Sequence, residues 1–373
     1  MSHLLTISIG PVQDFIAAAR RTADLYAGSQ ILQELSKHAA QHLATKGAQL
    51  IFPADQKADG ANKILAEVTK CPKALAQEVK EALRKKLEDI WKDTLSKLPE
   101  SNRNHIDEQR AKKQLEHFLE FYAAWVPLGE DYAKAREEVE RLLAGRKALR
   151  DFAPTNLDDG GLPKSPFDPA RATVLHLPTD KQGKPILEVP PALVIDPKLR
   201  FNKTEFLDAV SLLKRVYGVQ ELLGKVPQTR TLARMATDIT ATNAENLEED
   251  LDDKQKSLDF PYFAILLADG DRMGARLGEL KTIEAHQDFS RKLSRFAQSV
   301  QGLLEQTVYE GSPPPKPHPY RFCVYSGGDD VLAFLPVNRA VACAKALCSA
   351  FKKIDPALSL SIGIAIVHYR EPL

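Results

Sequence analysis

The strongest hydrophobic pattern lies in the last third of the chain. Residues 261–268 form a continuous apolar run, which is typical of a central strand buried on both faces. Across residues 283–308, apolar side chains recur every three or four positions, the spacing of one buried face of a helix. Two apolar runs within residues 320–337 are joined by Gly327-Gly328. This predicts a tight hairpin, because glycine reaches the positive φ that a primed turn requires.

Two further elements complete the pattern of this region. A helix is predicted over residues 337–351 and a strand over residues 358–368. The order is then β-α-β-β-α-β, which is a ferredoxin-like unit. The fold predicted for this region is therefore a palm with one strand beside a hairpin at the centre of its sheet.

The first part of the chain carries a related pattern. A strand over residues 4–9 runs into Gly10, and a helix is predicted over residues 13–26. Gly28 is expected to end that helix, with contact to a phosphate as the alternative for Gly28 and Ser29. Further helices are predicted over residues 72–98, 116–122 and 131–149. The fold class is therefore α+β, with two ferredoxin-like palm domains and a helical insertion.

The boundary between the two palms follows from charge. Residues 244–257 are rich in Asp and Glu, which is typical of an acidic linker rather than a site. We therefore predict a first palm-like domain over residues 1–243 and a second palm over residues 258–373.

Composition narrows the class of protein. The chain has 373 residues, a net charge of +1 and a hydrophobic fraction of 43%, which suits two folded domains and not a membrane or nucleic-acid-coating protein. No apolar run approaches a membrane span, and no signal segment is present. The four cysteines form no CxxC pair. We expect a reduced, cytoplasmic protein without a structural zinc site.

Acidic residues follow the strand and the hairpin of the second palm. Asp269 and Asp271 emerge where the strand ends, and Asp329 and Asp330 follow the two glycines. Because the strand and the hairpin are neighbours in the predicted sheet, Asp269 can face Asp329. Carboxylates that converge in this way suit Mg²⁺ or Mn²⁺ held together with substrate phosphates. The alternative is a solvated turn that carries two acids.

The four acids are not expected to be equivalent. Consecutive strand residues point to opposite faces, so Asp329 and Asp330 should not serve one ion equally unless the turn twists the chain. Asp269 and Asp329 are the first candidates for metal ligands, and Asp330 is the next. Asp271 is a weaker candidate, which could support the ligands or face solvent.

With these motifs in hand, the chain resembles a known family. Residues 269–274 and 325–332 resemble the palm of the large subunit of type III CRISPR effector complexes. Residues 7–16 and 19–29 are similar to the first palm of the Cmr (type III-B) branch. Diguanylate cyclases share the two acidic motifs, whereas the N-terminal motif is more particular to the Cmr branch.

The resemblance implies an activity and its cofactors. It implies a nucleotidyltransferase that makes cyclic oligoadenylates from ATP with two Mg²⁺ or Mn²⁺ ions. The implied catalytic and metal-binding residues are Asp269, Asp329 and Asp330. The implied nucleotide-binding residues are Gly270, Ser326, Gly327 and Gly328, with Gly10 and Ser29 of the first palm near a second ATP.

The resemblance also implies partners and regulation. The partners would be the other type III-B subunits, guide RNA and target RNA, with no membrane. An isolated chain is expected to be nearly silent, because partners would align two loosely held palms. The rival functions are a stand-alone diguanylate-cyclase-like or polymerase-like enzyme and a non-catalytic, RNA-binding scaffold.

Some features of that family are expected to be missing. The chain begins at the first palm, without the HD-type nuclease domain of many members, and it stops just past the last predicted strand. We expect a subunit truncated before the C-terminal domain, with a split subunit or a fragment as alternatives. The last strand should then leave an exposed apolar patch larger than the roughly few hundred Å² of a typical monomer, whereas a uniformly polar face would favour a complete chain.

Overall fold

The first sheet lies in the N-terminal part of the molecule. The computed structural model describes residues 2–56, 62–149, 161–241, 260–312, 314 and 319–373. Four strands form this sheet: β1 (His3–Gly10), β2 (Gln49–Phe52), β3 (Lys63–Val68) and β4 (Glu120–Pro127). Their order is β2-β3-β1-β4, and every pairing is antiparallel.

Helices connect these strands and cover the sheet. They are α1 (Gln13–Ala17), α2 (Thr22–Thr45), α3 (Pro72–Ser96), α4 (Glu100–Arg103), α5 (Glu108–Glu116) and α6 (Tyr132–Ala148). Side chains on one face of β1 join the core that α2 and α3 complete, whereas Leu4 on the other face packs with α6. The first sheet is therefore buried on both faces.

The second sheet repeats the same topology. Its strands are β5 (Tyr262–Gly270), β6 (Cys323–Gly327), β7 (Asp330–Pro336) and β8 (Leu360–His368), in the order β6-β7-β5-β8. The helices here are α10 (Met273–Gly278), α11 (Ile283–Val308) and α12 (Val337–Lys352). Both sheets thus have the ferredoxin-like order, which confirms the predicted fold class. The helical insertion contributes α7 (Pro191–Ile195), α8 (Ala209–Glu221) and α9 (Thr229–Arg234), whereas the predicted linker 244–257 lies outside the described residues.

Two of the predicted helices were wrong. The helix expected over residues 13–26 is broken into α1 and α2, because the buried Nζ of Lys214 donates to the carbonyl oxygens of Phe15 and Ala18 at the break. Gly28 does not end a helix but lies inside α2, where a Cβ would sit 3.1 Å from the Cδ of Lys214. The helix expected over residues 116–122 was also wrong, because residues 120–122 pair with β1 as the start of β4.

A buried ionic cluster fastens the insertion to the first palm. Arg215 on α8 is fully buried, and its guanidinium binds Asp24 on α2 at 2.9 Å and Glu205 at 2.6 Å. Both carboxylates are buried as well, so each charge has its partner in the interior. α8 therefore acts as part of the core of the first palm.

The two palms are in direct contact through α11. The side chain of Gln287 donates to the carbonyl oxygen of Leu50 on β2 at 2.6 Å, and the backbone N–H of Ala54 donates to Ser290 Oγ at 2.9 Å. Near the start of α11, the buried His286 is 2.5 Å from the hydroxyl of Tyr132 on α6. The expectation of loosely held palms was therefore wrong, because hydrogen bonds and packing fix α11 against the first palm.

The last strand is the exposed edge of the second sheet. β8 pairs with β5 on one side, and its Ile364 and Ile366 are 38% and 63% exposed. Apolar side chains are thus exposed on this strand, whereas the predicted size of the exposed apolar patch stays a prediction. Among the described residues, no helix is long and apolar enough to cross a membrane.

Candidate active site

The acidic residues lie where β5 ends and the β6–β7 hairpin turns. Gly327 pairs with Asp330, so Gly328 and Asp329 form a two-residue turn. Gly328 has a φ of +71°, whereas Asp329 does not have a positive φ. A positive φ at the first turn residue is the pattern of a type II′ turn. The turn is therefore one residue later than the Gly327-Gly328 pair suggested, with Gly327 in β6 and Asp330 in β7.

This register decides which face each carboxylate occupies. Leu267 lies opposite Leu332, and Ala268 lies opposite Val331. Because side chains alternate along a strand, Asp269 and Asp330 share the open face with Leu267, which is 60% exposed. The side chains of Asp269 and Asp330 are hydrogen-bonded to each other. The structure therefore brings these two carboxyl groups into contact.

Asp329 occupies a different position in the same cluster. Its carboxylate accepts a hydrogen bond from the backbone N–H of Gly270. A Cβ at position 270 would sit 2.7 Å from Asp329 Oδ2 and 2.7 Å from Met273 Cγ. Only glycine leaves room for this approach, because heavy atoms normally stay about 3.5–4.0 Å apart. Gly270 thus lets Asp329 lie directly against the end of β5.

The cluster of acids raises the pKa of two of its members. Burial, then the charge of Asp329 and the hydrogen bond with Asp269, raise the pKa of Asp330 to about 7. Burial and the charge of Asp269 raise the pKa of Asp329, although the N–H groups of Asp329 and Gly270 oppose this. No cation is among the groups that shift either pKa. Within the described parts of the chain, the charges that shift these two pKa values are thus all negative, which favours the binding of a cation.

Asp271 is hydrogen-bonded to residues at the start of β8. The hydroxyl groups of Ser359 and Ser361 donate to its two carboxylate oxygens, and these bonds lower the pKa of Asp271. Its backbone N–H donates to the carbonyl oxygen of Ser359 at 2.9 Å. Asp271 thus holds the turn after β5 against the start of β8. No local sequence signal pointed to the two serines, because they lie about ninety positions away.

Ser326 lies behind the hairpin tip. It pairs with Val331, so it faces the helix side of the sheet, and it is 8% exposed. Its hydroxyl has no hydrogen-bond partner among the described residues. A buried hydroxyl without a partner is costly, which makes it available to a ligand. Tyr325, which faces the open side with Leu332, was quoted within the motif but not singled out as a site residue.

In the described part of the first palm, an apolar residue stands where Asp269 stands in the second palm, although the carboxylate of Glu120 lies beside Gly10. Gly10 ends β1 opposite Glu120, as Gly270 ends β5 opposite Leu360. Ile9 then corresponds to Asp269 in this comparison of the two sheets. Ser29 is buried within α2 and accepts a hydrogen bond from Gln33. Among the described residues, no hydrogen bond joins Gly10 or Ser29 to the acid cluster.

Oxygen ligands dominate the site. Within the described parts of the chain, no group of three or more His, Cys, Asp or Glu side chains is arranged to hold a metal ion. One or two carboxylates with substrate phosphates are, however, the usual way in which Mg²⁺ is bound. Asp269 and Asp330 form such a pair, and the negative charge of the cluster fits a hard cation.

Two family models match this chain, one near each end. Residues 262–373 match the family described as Cas10/Cmr2, second palm domain, and residues 4–65 match CRISPR-associated protein Cmr2, N-terminal. The CRISPR system Cmr subunit Cmr2 of Pyrococcus furiosus is 32% identical over 143 residues, which cover 30% of this chain and 15% of that protein. The chain thus matches only a small part of this relative's length.

Solved structures share the fold over the whole chain. The type III-B Cmr-beta complex in its apo state contains a chain with a TM-score of 0.69 and 12% identity, and this match covers 100% of our chain and 65% of that one. The Csm1–Csm4 cassette in complex with cA4 gives a TM-score of 0.53 at 14% identity, and the match covers 50% of that chain. The same cassette in complex with one ATP gives 0.53 at 15% identity, over 51% of that chain.

These matches agree with the motifs and with the paired palms. The family match to the second palm contains the acid cluster, and the N-terminal match contains β1 and α2. The second palm therefore matches the Cas10/Cmr2 second palm domain, the N-terminal region matches that of Cmr2, and the whole chain is similar in fold to chains of type III CRISPR complexes.

Proposed function

We propose that this chain catalyses nucleotidyl transfer on ATP and makes cyclic oligoadenylates by a two-metal mechanism. The observation that carries the proposal is the contact between Asp269 and Asp330 on the open face, with Asp329 beside them. Structures of Csm1–Csm4 with cA4 and with ATP support the choice of substrate and product.

The chain's own residues divide the work. Asp269 and Asp330 would hold one cation jointly, and Asp329 would bind from the other side of the turn. When bound, the ions would lower the pKa of an attacking 3′-hydroxyl and stabilise the departing pyrophosphate. Gly327 and Gly328 leave open backbone at the hairpin tip, where a triphosphate can approach.

Two neighbouring groups would complete the nucleotide site. The unpartnered hydroxyl of Ser326 faces the helix side of the sheet, so it would donate to the triphosphate only after the hairpin tip rearranges. Gly270 would keep Asp329 in place, because its missing side chain is what allows their contact. Both roles are positioning roles around the carboxylates.

A second ATP would lie against the first palm. Gly10 is the proposed contact, since it ends β1 at the place where Gly270 ends β5. We assign Ser29 a supporting role, because its buried hydroxyl is bonded to Gln33 inside α2. Since α11 already fixes the palms against each other, activation would have to change the hairpin tip or the access of ATP rather than join the palms.

The proposed setting is an RNA-guided type III-B complex with guide RNA, target RNA and other subunits. The chain's likeness to Cmr-beta bound to cognate target RNA supports this setting, with a TM-score of 0.66 and 12% identity. Target RNA would switch the acid site on, and the isolated chain would turn over ATP slowly.

The test is ATP turnover by the assembled complex with Mg²⁺ or Mn²⁺, with and without target RNA. We expect Asp269→Asn and Asp330→Asn to lower turnover roughly 100-fold or more, because each removes a charged group at the reacting centre. Asp288→Asn is the matched control, since this exposed acid lies on α11 outside the acid cluster, and its ion pair among the described residues is with Arg291.

Three results would contradict parts of the proposal. Undiminished turnover in Asp330→Asn would refute the catalytic assignment. Conversion of GTP in place of ATP would favour a diguanylate-cyclase-like enzyme. RNA binding without any turnover in the complete complex would favour a scaffold.

A further inference from the structure

An open cleft of about 820 Å³, lined by both polar and apolar side chains, lies between the two palms. One wall is formed by the end of α2, β2 and residues 54–56, and the other wall is one side of α11. None of the lining residues belongs to the acid cluster. The polar lining includes Thr45, Gln49, Gln56, Arg291, Arg295 and Gln298.

Its walls are fixed before any ligand arrives. Gln287 bridges α11 to Leu50 of β2, and Ser290 accepts a hydrogen bond from Ala54. These two bonds span the interface beside the cleft, so the distance between the walls is set by the fold. A preformed cleft at a domain interface is the usual setting of a small-ligand site, and this volume lies in the usual range of roughly 300–1,000 Å³.

Its charge favours an anion. Arg295 is exposed and makes no hydrogen bond or ion pair with any residue that the structure describes. Arg291, one helical turn earlier, pairs with Asp288 in an exposed contact of 2.5 Å, which is a weak interaction that a phosphate can replace. Asp55 is the acid on the opposite wall. Two guanidinium groups one turn apart can bind the oxygens of one phosphate.

Its amide groups favour a nucleotide over a simple anion. Gln49, Gln56 and Gln298 supply both donors and acceptors around the two arginines. Such groups recognise the hydrogen-bonding edges of bases. A protein partner fits less well, because anchors of protein interfaces are mostly aromatic, and no described residue that lines the cleft is aromatic.

We propose that this cleft binds a phosphorylated ribonucleotide, either free or within an RNA chain, through Arg291 and Arg295. The site is separate from the acid cluster and does not depend on the proposed nucleotidyl transfer. A ligand here would contact β2 of the first palm and α11 of the second palm at once. Binding of the ligand would therefore affect both palms.

The test is binding of a fluorescent, 5′-phosphorylated, eight-nucleotide single-stranded RNA to the full chain. EDTA is present so that no divalent cation serves the acid cluster. The double variant Arg291→Gln, Arg295→Gln should weaken binding roughly tenfold or more, because it removes charge-assisted hydrogen bonds to phosphate. The slope of log affinity against log salt should fall by about 0.7 for each phosphate that the variant no longer neutralises.

Lys292→Gln is the matched control. Lys292 is an exposed cation between the two arginines in sequence, but it does not line the cleft, so its variant should bind within twofold of the parent. Competition by AMP would identify a free nucleotide as the ligand, whereas RNA binding without such competition would identify an RNA chain.

No RNA or AMP binding by the parent chain would overturn the proposal, and so would an equally large decrease in binding for Lys292→Gln. Thermal unfolding of each variant checks that these exposed substitutions leave the fold intact. If ATP turnover is absent but RNA binding depends on the two arginines, the proposed catalysis fails while this inference stands.

Discussion

Replacement of Gly270 by alanine is the most direct structural test of the acid site. The added Cβ would lie 2.7 Å from Asp329 Oδ2, 2.7 Å from Met273 Cγ and 2.8 Å from Asp329 Cβ. The Met273 side chain can rotate away, whereas the Cβ of Asp329 belongs to the two-residue turn. Relief of the contact therefore requires movement of the turn itself.

The size of that movement sets the expected effect. Carbon atoms pack at about 3.5–4.0 Å, so the tip must shift by roughly 0.7–1.2 Å. A misplacement of about 1 Å can lower the rate roughly 100-fold. Overpacking of this kind also lowers the free energy of unfolding by about 1–3 kcal/mol. Gly270→Ala should therefore lower turnover roughly 100-fold in a chain that stays folded, because a domain is usually stable by about 5–15 kcal/mol.

The assay is pyrophosphate release from ATP by the target-RNA-bound complex, together with thermal unfolding of the chain. Gly274→Ala is the matched control, because it lies in α10 and a Cβ there meets nothing within 4 Å. Alanine should even stabilise that helix by about 1 kcal/mol. Turnover of Gly270→Ala within threefold of Gly274→Ala would refute the close contact between Gly270 and Asp329 as a requirement for catalysis.

Two predictions concern stability. A Cβ on Gly218 of α8 would lie 2.8 Å from the carbonyl oxygen of Ala23, so Gly218→Ala should cost about 1–3 kcal/mol in urea unfolding, and Gly145→Ala, with open space, should cost nothing. Burial and the nearby cations Arg136 and Lys63 lower the pKa of His286 to about 4 from 6.5. As pH falls from 6.5 towards 4, the unfolded chain takes up a proton first, so the free energy of unfolding falls by up to about 3 kcal/mol. In His286→Gln, the free energy of unfolding should therefore fall less between pH 6.5 and pH 4. An equal fall in the variant and the parent would contradict the assignment of this pH dependence to His286.

The second palm was predictable because its elements are set by local pattern. The apolar run of β5, the spacing of three and four in α11 and the alternation in β8 each identify one element without help from the rest of the chain. Residues 116–122 were different. Their apolar positions are compatible with a helix or a strand. Phe121 and Tyr122 form a strand because they pair with β1.

The break between α1 and α2 could not be read from local sequence. The Lys214 side chain that binds the free carbonyl oxygens lies 199 positions from Phe15 and 196 from Ala18. The cleft between the palms could not be predicted from local sequence for the same reason. It joins residues of β2 to residues of α11 that are more than 230 positions away in the chain.

The acid residues themselves were predictable. Which of them are in contact, however, depends on the register of the β6–β7 hairpin, and a shift of one residue changes the answer. The motif places Asp329 and Asp330 after two glycines, and alternation along a strand indicates that they face different ways. Whether Asp269 contacts one or the other depends on the phase of the turn. With Gly327 inside β6, Asp330 becomes the strand residue that shares a face with Asp269.

The buried pair of Asp24 and Arg215 has a consequence for synthesis of the chain. The two residues are 191 positions apart, and β4 of the first sheet is complete by residue 127. At roughly 5–20 residues per second, the ribosome needs about 10–40 seconds between Asp24 and Arg215. During that interval the nascent first palm has Asp24 without its Arg215 partner, and one side of α2 is uncovered. Its final packing therefore follows the emergence of α8, so slow codons between the two would lengthen the period in which the nascent chain is open to proteases and chaperones.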